Sequence, residues 1–411
     1  MTAKTGRSRK TDVVVVGGGY AGVMAANRLT QRDDVTVTLI NPRPRFVERV
    51  RLHQLVGGSD DAVVDYQEVL AEDIRMVVDT VTRINAAERS VTLETGDRLG
   101  YDYLVYAVGS GSADPGVPGA AEFAYPTASL EQAQRLRSVI DRAPATATVT
   151  VVGGGPLGIE TAAELAELGR TVTLVCGDQL GPYLHPRGRR SMAKGLFKLG
   201  VTVLDGPGAK VTTVTRGAVQ LSDGRELPST VTVWTAGFGV PDLAGRSGLS
   251  TDAVGRLLTD ETLTSVDDAR IVATGDAAAP SDLPLRMSCQ AALPLGSHAA
   301  DTVLSRIAGG QPADFSRGIA AMCVSLGRRA GVFQLAHRDD TAMWIHLSGR
   351  LGAKVKEAAC KSPMEQLSDE ARKPGAHTWP VKDAKRRQRL QDRLGADLDS
   401  RDRAARARQT S

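Results

Sequence analysis

Two glycine triplets with identical spacing are the groups in this sequence best suited to chemistry. They are Gly17, Gly19 and Gly22, and Gly153, Gly155 and Gly158, each in a GxGxxG pattern. In such a pattern the first glycine permits a tight turn, the second lets the backbone approach a pyrophosphate, and the third lets a helix pack closely on a strand. Backbone N–H groups at the start of that helix bind the diphosphate, helped by the positive end of the helix dipole. Two triplets therefore predict two dinucleotide sites, one for a flavin and one for a nicotinamide.

The elements around both triplets are those that this binding role requires. A buried apolar strand, TDVVVV, precedes the first triplet, and an apolar helix, YAGVMAANRL, follows Gly19. The segments TVTVV and PLGIETAAELAELG repeat the arrangement around the second triplet. Placement between a strand and a helix makes the glycine pattern much more specific than it is alone. The sequence therefore predicts an α/β fold with two Rossmann-like domains, for FAD and NAD(P)H, and a smaller C-terminal α+β region.

Composition suggests where the domains begin and end. The stretch GSGSADPGVPGA, with four glycines and two prolines, cannot continue a helix or a central strand and predicts a connection between domains. We predict a basic tail (1–10), an FAD-binding domain in two segments (11–113 and 246–310) and an NAD(P)H-binding domain (114–245). A C-terminal domain (311–380) and a charged tail that is helical or disordered (381–411) follow. Within the C-terminal domain we expect strands at IAAMCVSLG and AGVFQLAH, a helix at WIHLSGRLGAKVKEAACK, and Trp344 in the core.

The residue that would hold each ribose differs between the two copies. An acidic residue about 20 positions after the triplet usually bonds the ribose hydroxyls. The first copy has Asn41 there, whose amide can still donate and accept hydrogen bonds, whereas the second has Cys176, a poor ribose ligand. Asp178 could replace Cys176 and would favour NADH, which we expect. Two alternatives stay open: a second site that has lost nucleotide binding, and a site for the 2′-phosphate of NADPH. The residues that could meet that phosphate are Arg187, Arg189 and Arg190.

Charge and cysteine usage exclude several classes of protein. Residues 1–10 carry four basic side chains and no acidic one, and residues 382–411 carry ten basic and five acidic ones. Because the net charge is only +4, the body of the chain is acidic, and a nucleic-acid-binding core is not expected. The four cysteines lie at least 34 positions apart, which excludes a CxxC pair and a zinc ribbon, and no metal site is predicted. With no signal peptide or membrane span in the sequence, we predict a cytoplasmic protein.

Five motifs in order give the sequence a family resemblance. GGGYAG, YDYLVYAVGS, GGGPLGIE, VTVWTAGF and ATGDAA resemble the pyridine nucleotide-disulfide oxidoreductase superfamily over roughly residues 12–310. The disulfide reductases of that superfamily carry a cysteine pair on the segment that here reads NPRPRFVERVRLHQLVGG, which has no cysteine. The chain therefore looks closer to type II NADH dehydrogenases and apoptosis-inducing-factor-like flavoproteins, which lack the redox disulfide.

The resemblance implies roles for residues outside the glycine triplets. Asp276 of ATGDAA matches a residue that bonds the ribityl or pyrophosphate part of FAD, and it could equally cap a helix. Ala107 and Gly109 match the family's ATG turn beside the cofactor. Glu160 matches a glutamate that lies where nicotinamide meets flavin, although a solvated or capping carboxylate is the alternative.

The same resemblance bears on the electron acceptor. Gln290 and Ala291 match a segment whose helix N-terminus faces the flavin pyrimidine and stabilises charge on the reduced ring. Later glutamines of the type II dehydrogenase pattern fall here on Pro294 and Leu295, which weakens the case for a quinone. The segment that passes near the flavin also carries two side chains able to polarise an acceptor or relay a proton, although a surface arginine and a packed histidine are the alternatives. These are Arg51 and His53.

The sequence thus predicts an FAD-dependent oxidoreductase, NADH dehydrogenase-like, that takes hydride from NAD(P)H to flavin N5. Electrons would pass to a quinone or another small acceptor. Two other functions stay open: a tailoring enzyme that oxidises a specialised metabolite, and a flavoprotein scaffold that binds nucleic acid or protein through its basic tails. The sequence leaves open whether the chain forms a homodimer and whether it makes peripheral contact with a membrane.

Overall fold

The computed structural model describes residues 10–393. Most of the predicted basic tail, residues 1–9, and residues 394–411 of the predicted charged tail lie outside the described residues. Residues 386–393 are helical and begin at Arg386, which is buried and pairs with Glu261 at 2.6 Å. Within the described range, no helix combines the length and the apolar composition that crossing a membrane requires.

The first unit begins with the predicted strand and helix around the first glycine triplet. Its elements are β1 (Thr11–Val16), α1 (Tyr20–Leu29), β2 (Val35–Asn41), β3 (Arg45–Val47), α2 (Leu52–Gly57), β4 (Val63–Asp65), β5 (Arg75–Val78), β6 (Val81–Asn85), β7 (Ser90–Leu93), β8 (Arg98–Gly100), β9 (Tyr103–Tyr106) and β10 (Gly111–Ser112). Continuous apolar runs, as in β1, bury both faces of a strand, and alternating runs, as at the start of β2, bury one face. Parallel sheets covered by helices require such burial.

The second unit repeats the pattern around the second triplet. Its elements are α3 (Ala120–Phe123), β11 (Ala124–Pro126), α4 (Leu130–Arg142), β12 (Thr148–Val152), α5 (Pro156–Glu167), β13 (Thr171–Val175), α6 (Pro186–Lys198), β14 (Thr202–Leu204), β15 (Val211–Val214), β16 (Ala218–Leu221), β17 (Glu226–Pro228), β18 (Val231–Trp234) and β19 (Phe238–Gly239). Strand β19 pairs antiparallel with β10, with Gly111 opposite Gly239 and Ser112 opposite Phe238.

The chain then returns to the first sheet and ends in a C-terminal region. The returning elements are α7 (Leu243–Arg246), β20 (Leu257–Thr259), β21 (Ile271–Ala273), β22 (Ala278–Pro280) and α8 (Cys289–Ile307). The C-terminal elements are β23 (Ala321–Leu326), β24 (Ala330–Ala336), β25 (Ala342–Gly349) and α9 (Arg350–Arg372).

Two five-stranded parallel sheets form the centres of the two units. Their strand orders are β21-β9-β1-β2-β5 and β11-β18-β12-β13-β14. In both sheets the strand that leads into the glycine triplet, β1 or β12, is the central one. The chain order of the neighbouring strands reverses at this strand, which is where open parallel sheets bind their ligands. The predicted α/β fold with two Rossmann-like units and a C-terminal α+β region is confirmed, while the domain boundaries stay predictions.

The C-terminal region differs from the sequence expectation at one place. Strands β23 and β24 are found where they were predicted, but residues 342–349 form strand β25, and the helix begins only at Arg350. Strand β25 lies at the edge of the antiparallel sheet β23-β24-β25. Trp344 is 60% exposed on this strand, so its prediction as a core residue is wrong. An edge strand has a neighbour on one side only, which leaves its side chains more open to solvent.

Candidate cofactor and active site

The first glycine turn has the geometry that close approach of a ligand requires. Gly17 has φ +106°, and a Cβ there would collide with the Ala107 carbonyl oxygen. A Cβ on Gly22 would collide with the Gly17 carbonyl oxygen. At Gly19, no atom of the described residues lies within 4 Å of an added Cβ, so this position faces open space. The first and third glycines therefore permit tight packing, and the second leaves room beside the start of α1.

The second turn repeats this geometry. Gly153 has φ +129°, and a Cβ there would collide with Thr235 Oγ1 and lie 3.0 Å from the Ala236 nitrogen. A Cβ on Gly158 would collide with the Gly153 carbonyl oxygen, whereas around Gly155 the described part of the chain leaves 4 Å free. Both α1 and α5 begin directly after the open glycine, so their free N–H groups face the same space.

One cavity of about 750 Å³ connects the two turns. Residues that line it lie in loops and helices that follow strands of both parallel sheets, at the start of α8 and in the C-terminal region; they include Gly19, Ala107, Gly109, Leu157, Glu160, Asp276, Gln290, Cys323 and Lys356. This volume lies within the usual range for ligand pockets, about 300–1,000 Å³. The cavity therefore brings residues predicted for FAD and residues predicted for the nicotinamide into one space.

Asp276 lies at the polar end of the cavity, in a network that includes a residue missed by the sequence analysis. Ser110 Oγ donates to Asp276 Oδ2 at 2.7 Å, and Arg49 Nη1 donates to Ser110 Oγ at 3.2 Å. Burial lowers the pKa of Arg49, partly offset by the Asp276 carboxylate, and the guanidinium still remains charged near neutral pH. The Thr274 hydroxyl, fully buried and lining the cavity, has no hydrogen-bond partner among the described residues. A diphosphate or a ribityl chain would satisfy these groups.

Asn41 lies where the sequence predicted it, at the end of β2, but its amide is already engaged. Asn41 Oδ1 accepts a hydrogen bond from the Gly18 N–H at 3.0 Å, and its Nδ2 donates to the Arg43 carbonyl at 2.9 Å. Tyr66 donates its hydroxyl proton to the Gly18 carbonyl at 2.8 Å. Asn41 therefore fixes the glycine turn, and a bond to a ribose stays a prediction that its remaining N–H and lone pair allow.

The corresponding position in the second unit is less polar. Cys176 is half-buried beside Gly154, and burial, followed by the charge of Asp205, raises the pKa of its thiol to about 12. Asp178, two residues further on, is exposed. Two of the predicted phosphate ligands are already engaged elsewhere: Arg187 lies over the Trp344 ring at 5.4 Å, and Arg189 donates to the Leu184 carbonyl at 3.0 Å.

Glu160 belongs to a buried cluster that joins the second unit to the C-terminal region. Lys356 Nζ lies 2.9 Å from Glu160 Oε1, which also accepts a hydrogen bond from the Ser325 N–H at 2.9 Å. His53 Nδ1 lies 3.6 Å from Glu160 Oε2, and His53 Nε2 lies 3.3 Å from Ser325 Oγ. Lys356 was not predicted, because it belongs to α9, where no sequence motif marks it.

The charges in this cluster follow from burial and proximity. Burial would raise the pKa of Glu160, but the Lys356 ammonium reverses this and keeps the pKa below its usual value. Burial would lower the pKa of Lys356, and Glu160 more than compensates, so the pKa is raised. Burial lowers the pKa of His53 to about 4, although Glu160 opposes the shift. Near neutral pH, Glu160 and Lys356 are an ion pair and His53 is neutral, so the short His53–Glu160 contact is not a salt bridge.

Unlike His53, Arg51 does not line the cavity. Its guanidinium lies 3.2 Å from Glu48 and 3.3 Å from Glu357, and it donates to Gln54 at 2.9 Å. Arg49, two residues earlier, lines the cavity, whereas Arg51 joins the start of α2 to α9. The predicted role of Arg51 toward an acceptor therefore gains no support from the geometry.

The start of α8 closes one side of the cavity. Ser288 caps the helix by accepting from the Ala291 N–H at 3.3 Å, and Ala291 itself is buried. Gln290 lines the cavity, and its Oε1 accepts from the Ala320 N–H at 3.0 Å. The helix therefore presents its N-terminus to the cavity, as expected for a site that stabilises negative charge.

Three cysteines that are far apart in the sequence line the same cavity. They are Cys289 at the start of α8, Cys323 in β23 and Cys360 in α9. Burial raises the pKa of all three thiols, to about 12 for Cys289 and about 11 for Cys360. Spacing along the chain excluded a CxxC pair correctly, but it gave no sign that the fold gathers these side chains.

Comparison with known proteins agrees with this geometry. The profile of the family described as pyridine nucleotide-disulphide oxidoreductase matches residues 11–299. An NADH dehydrogenase-like protein of Mycobacterium tuberculosis is 33% identical over 327 residues, which cover 72% of this chain and 80% of the relative. The type II NADH:quinone oxidoreductase of the same organism is 28% identical over 407 residues, covering 85% and 86%.

Solved structures share the fold at low sequence identity. The sulfide:quinone oxidoreductase of Aquifex aeolicus superposes with a TM-score of 0.74 at 20% identity, covering 88% of this chain and 92% of that one. The NDH2 structure of Plasmodium falciparum in complex with NADH gives 0.73 at 16% identity, covering 90% and 99%.

Proposed function

Since the chain belongs to the pyridine nucleotide-disulphide oxidoreductase family and is a flavoenzyme that uses FAD and NAD(P)H, we propose that it oxidises NADH and reduces a quinone. The observation that carries the proposal is the single cavity between the two glycine turns, with the Glu160–Lys356 pair in its wall. Two relatives named as type II NADH:quinone oxidoreductases match this chain over most of their length.

The residues at the first turn fit FAD. Open space at Gly19, the unpartnered Thr274 hydroxyl and the Arg49–Ser110–Asp276 network offer N–H groups, a hydroxyl and a cation to a dinucleotide. When bound there, FAD supplies the ring that accepts a hydride and releases electrons to an acceptor. Arg49 would offset the charge of the diphosphate, and the capped start of α8 would stabilise negative charge on the bound group.

The residues at the second turn fit a nicotinamide nucleotide that enters from solvent. Gly155 is open, and Leu157 and Glu160 carry the cavity wall from this turn toward the first one. The exposed carboxylate of Asp178 repels a 2′-phosphate, and Arg187 and Arg189 are engaged elsewhere. These three observations support NADH over NADPH.

Lys356 and Glu160 give the reduction of a quinone a source of protons. Quinone reduction takes up two protons with two electrons, so an acid near the acceptor lowers the charge that develops on its oxygen. Lys356 holds a proton at Nζ, and the Glu160 carboxylate beside it keeps that ammonium charged in the cavity wall. Neutral His53 accepts or donates a hydrogen bond in the same cluster without adding charge.

Rapid mixing of the purified, yellow protein with NADH and with NADPH under anaerobic conditions tests the first half of the reaction. We expect NADH to bleach the flavin absorption at least about tenfold faster than NADPH, and Asp178→Ala to narrow that ratio. Mixing the reduced protein with a 1,4-naphthoquinone then tests the second half. Flavin that stays oxidised with both nucleotides rules out the dehydrogenase function, and flavin that NADH reduces but a quinone does not reoxidise rules out the quinone alone.

A further inference from the structure

After α9 the chain returns across the fold as a strap, the C-terminal strap of residues 373–385. At its start, the fully buried Glu370 carboxylate accepts hydrogen bonds from the Gly375 N–H at 2.7 Å and from the His377 N–H at 2.6 Å. Directly after its end, the buried Arg386 pairs with Glu261, between β20 and β21, at 2.6 Å. Buried anchors at both ends therefore hold the C-terminal strap in place.

The middle of the C-terminal strap brings Trp379 to the cavity. Trp379 lines the cavity, and its indole Nε1–H donates to the Gly318 carbonyl at 3.1 Å. Arg317 Nη1 donates to the Trp379 carbonyl at 3.0 Å, and the Gly318 N–H donates to the Val381 carbonyl at 3.1 Å. These bonds fix both the backbone and the ring of Trp379. Because the one polar group of an indole is its N–H, the ring presents only apolar surface to the cavity.

The segment that holds Trp379 is bonded to the start of α8. Two residues after Gly318, the Ala320 N–H donates to Gln290 Oε1 at 3.0 Å, and Gln290 lies in the first turn of α8. An acceptor that gains negative charge is best placed at a helix N-terminus, which puts Trp379 beside it. Apolar side chains before α8, in β23 and in α9 line the same cavity: Met287, Ala321, Met322, Ala359 and Pro363.

We infer that Trp379 is a specificity-determining residue for the electron acceptor, whose ring bounds the space beside the start of α8 and limits the substituents that a quinone can carry there. The inference rests on the proposed function and names the side chain that selects among quinones. A flat quinone ring can lie against the indole, since aromatic rings attract each other in offset or edge-on contact. A bulky substituent needs the space of the indole, and the bonds to Arg317 and Gly318 keep the ring from turning aside.

The test compares flavin-loaded Trp379→Ala and wild type with two quinones that differ in one group. The probes are 2-methyl-1,4-naphthoquinone and its 3-benzyl derivative, and calorimetric titration of the oxidised enzyme gives both dissociation constants. The preference for the smaller quinone, measured as the ratio of these constants, should fall at least about tenfold in the variant, because the space of the indole becomes free. The ratio of kcat/KM for the two quinones should fall with it. Trp379→Phe, which keeps an aromatic ring, should lower the preference less than about threefold.

Trp344→Ala is the matched control. Trp344 is the exposed tryptophan of β25 and lies outside the cavity lining, so this variant should keep the preference of wild type. A preference that changes no more in Trp379→Ala than in Trp344→Ala overturns the inference. Loss of flavin or a changed flavin spectrum in Trp379→Ala also overturns it, because the indole then supports the cofactor and not the acceptor. If wild type itself neither binds nor reduces either quinone, the proposed function fails with it.

Discussion

The two glycine turns share their backbone geometry but differ in what supports them. At the first turn, two side chains bond the middle glycine: Asn41 accepts from the Gly18 N–H, and Tyr66 donates to its carbonyl. At the second turn, Gly154 packs against the Cys176 side chain, and its carbonyl accepts from the Gly181 backbone at 2.9 Å. The first turn is therefore fixed by hydrogen bonds with polar side chains, and the second by a hydrogen bond from neighbouring backbone.

The helices that follow the two turns differ in their buried charge. The first turns of α1, residues 20–26, are buried and carry no charge, whereas α5 buries Glu160 and Glu164. Burial raises the pKa of Glu164 to about 7, and Glu160 is kept ionised by Lys356. A rigid, apolar setting suits a cofactor that stays, and a charged one suits a nucleotide that reacts and leaves. The same sequence pattern thus serves two kinds of site.

The largest expected effect comes from exchanging glycine for alanine at equivalent places in the two turns. Gly17→Ala forces a side chain into the Ala107 carbonyl at φ +106°, so flavin binding should weaken at least about a hundredfold, given backbone strain of about 1–3 kcal/mol plus the collision. Gly153→Ala, the matched variant, should keep its flavin and lose at least about tenfold in the rate of reduction by NADH. The ratio of flavin to protein absorbance measures the first effect, and rapid mixing the second. Loss of flavin from both variants would contradict the assignment of the first turn to FAD and the second to NADH.

Breaking the ion pair between α5 and α9 acts on the stability of the fold and not on flavin binding. Lys356→Met leaves the Glu160 carboxylate buried without its cation, which should lower the free energy of unfolding by about 3–5 kcal/mol. Adding Glu160→Gln should restore most of that loss, because no buried charge then remains. Urea unfolding of both variants provides the measurement, with the exposed Lys361→Met as a control that should stay within about 0.5 kcal/mol of wild type. A loss as small as the control's would mean that the pair contributes no stability.

His53, which neighbours this ion pair, should make the stability of the fold depend on pH. Since the pKa of His53 is lowered from 6.5 to about 4, the folded state holds it neutral, and its contribution is complete above pH 6.5 and lost as the pH falls toward 4. The difference corresponds to about 3 kcal/mol between these values. His377, whose pKa is also lowered to about 4, adds a similar slope. Glu164, whose pKa is raised to about 7, contributes a slope of opposite sign in the same range. His53→Gln should therefore reduce the slope of the unfolding free energy against pH between pH 4 and 6.5 by about one bound proton, and an unchanged slope would contradict the burial of a neutral His53.

The smallest effect concerns the side chains behind the middle glycines. Asn41→Ala removes the acceptor of the Gly18 N–H and should weaken FAD binding by about 1–2 kcal/mol, or about tenfold. Cys176→Ala removes a thiol that supports its turn by packing alone, so the KM for NADH should change less than about twofold. Titration of the flavin-free protein with FAD and steady-state kinetics with NADH check the two results. Similar losses in both would show that the turns are supported alike.

The sequence predicted the parts of the molecule that local pattern determines. Strand, glycine turn and helix follow one another within about 20 residues, so β1–α1 and β12–α5 could be placed from spacing and apolar periodicity alone. The family resemblance added Asp276, which the structure does place on the cavity wall.

The side chains that reach the cavity from afar could not be found in this way. Lys356 meets Glu160 only because α9 packs across β23 and β24, nearly 200 residues after the second turn. Arg49, not Arg51, reaches the cavity because of the short turn before α2, which no pattern in the segment indicates. Trp344 was misplaced because a short apolar stretch does not distinguish a helix from a strand, nor a buried position from one at the edge of a sheet.

The antiparallel pairing of β10 with β19 restricts how the enzyme can handle its nucleotide. The chain crosses from the first unit to the second through β10 and back through β19, and hydrogen bonds tie the two crossings together. Two crossings joined by hydrogen bonds resist a hinge rotation between the units more than a single crossing would. Nucleotide exchange should then proceed without the two halves rotating apart, and turnover should be insensitive to added viscosity agents that slow large-scale motion.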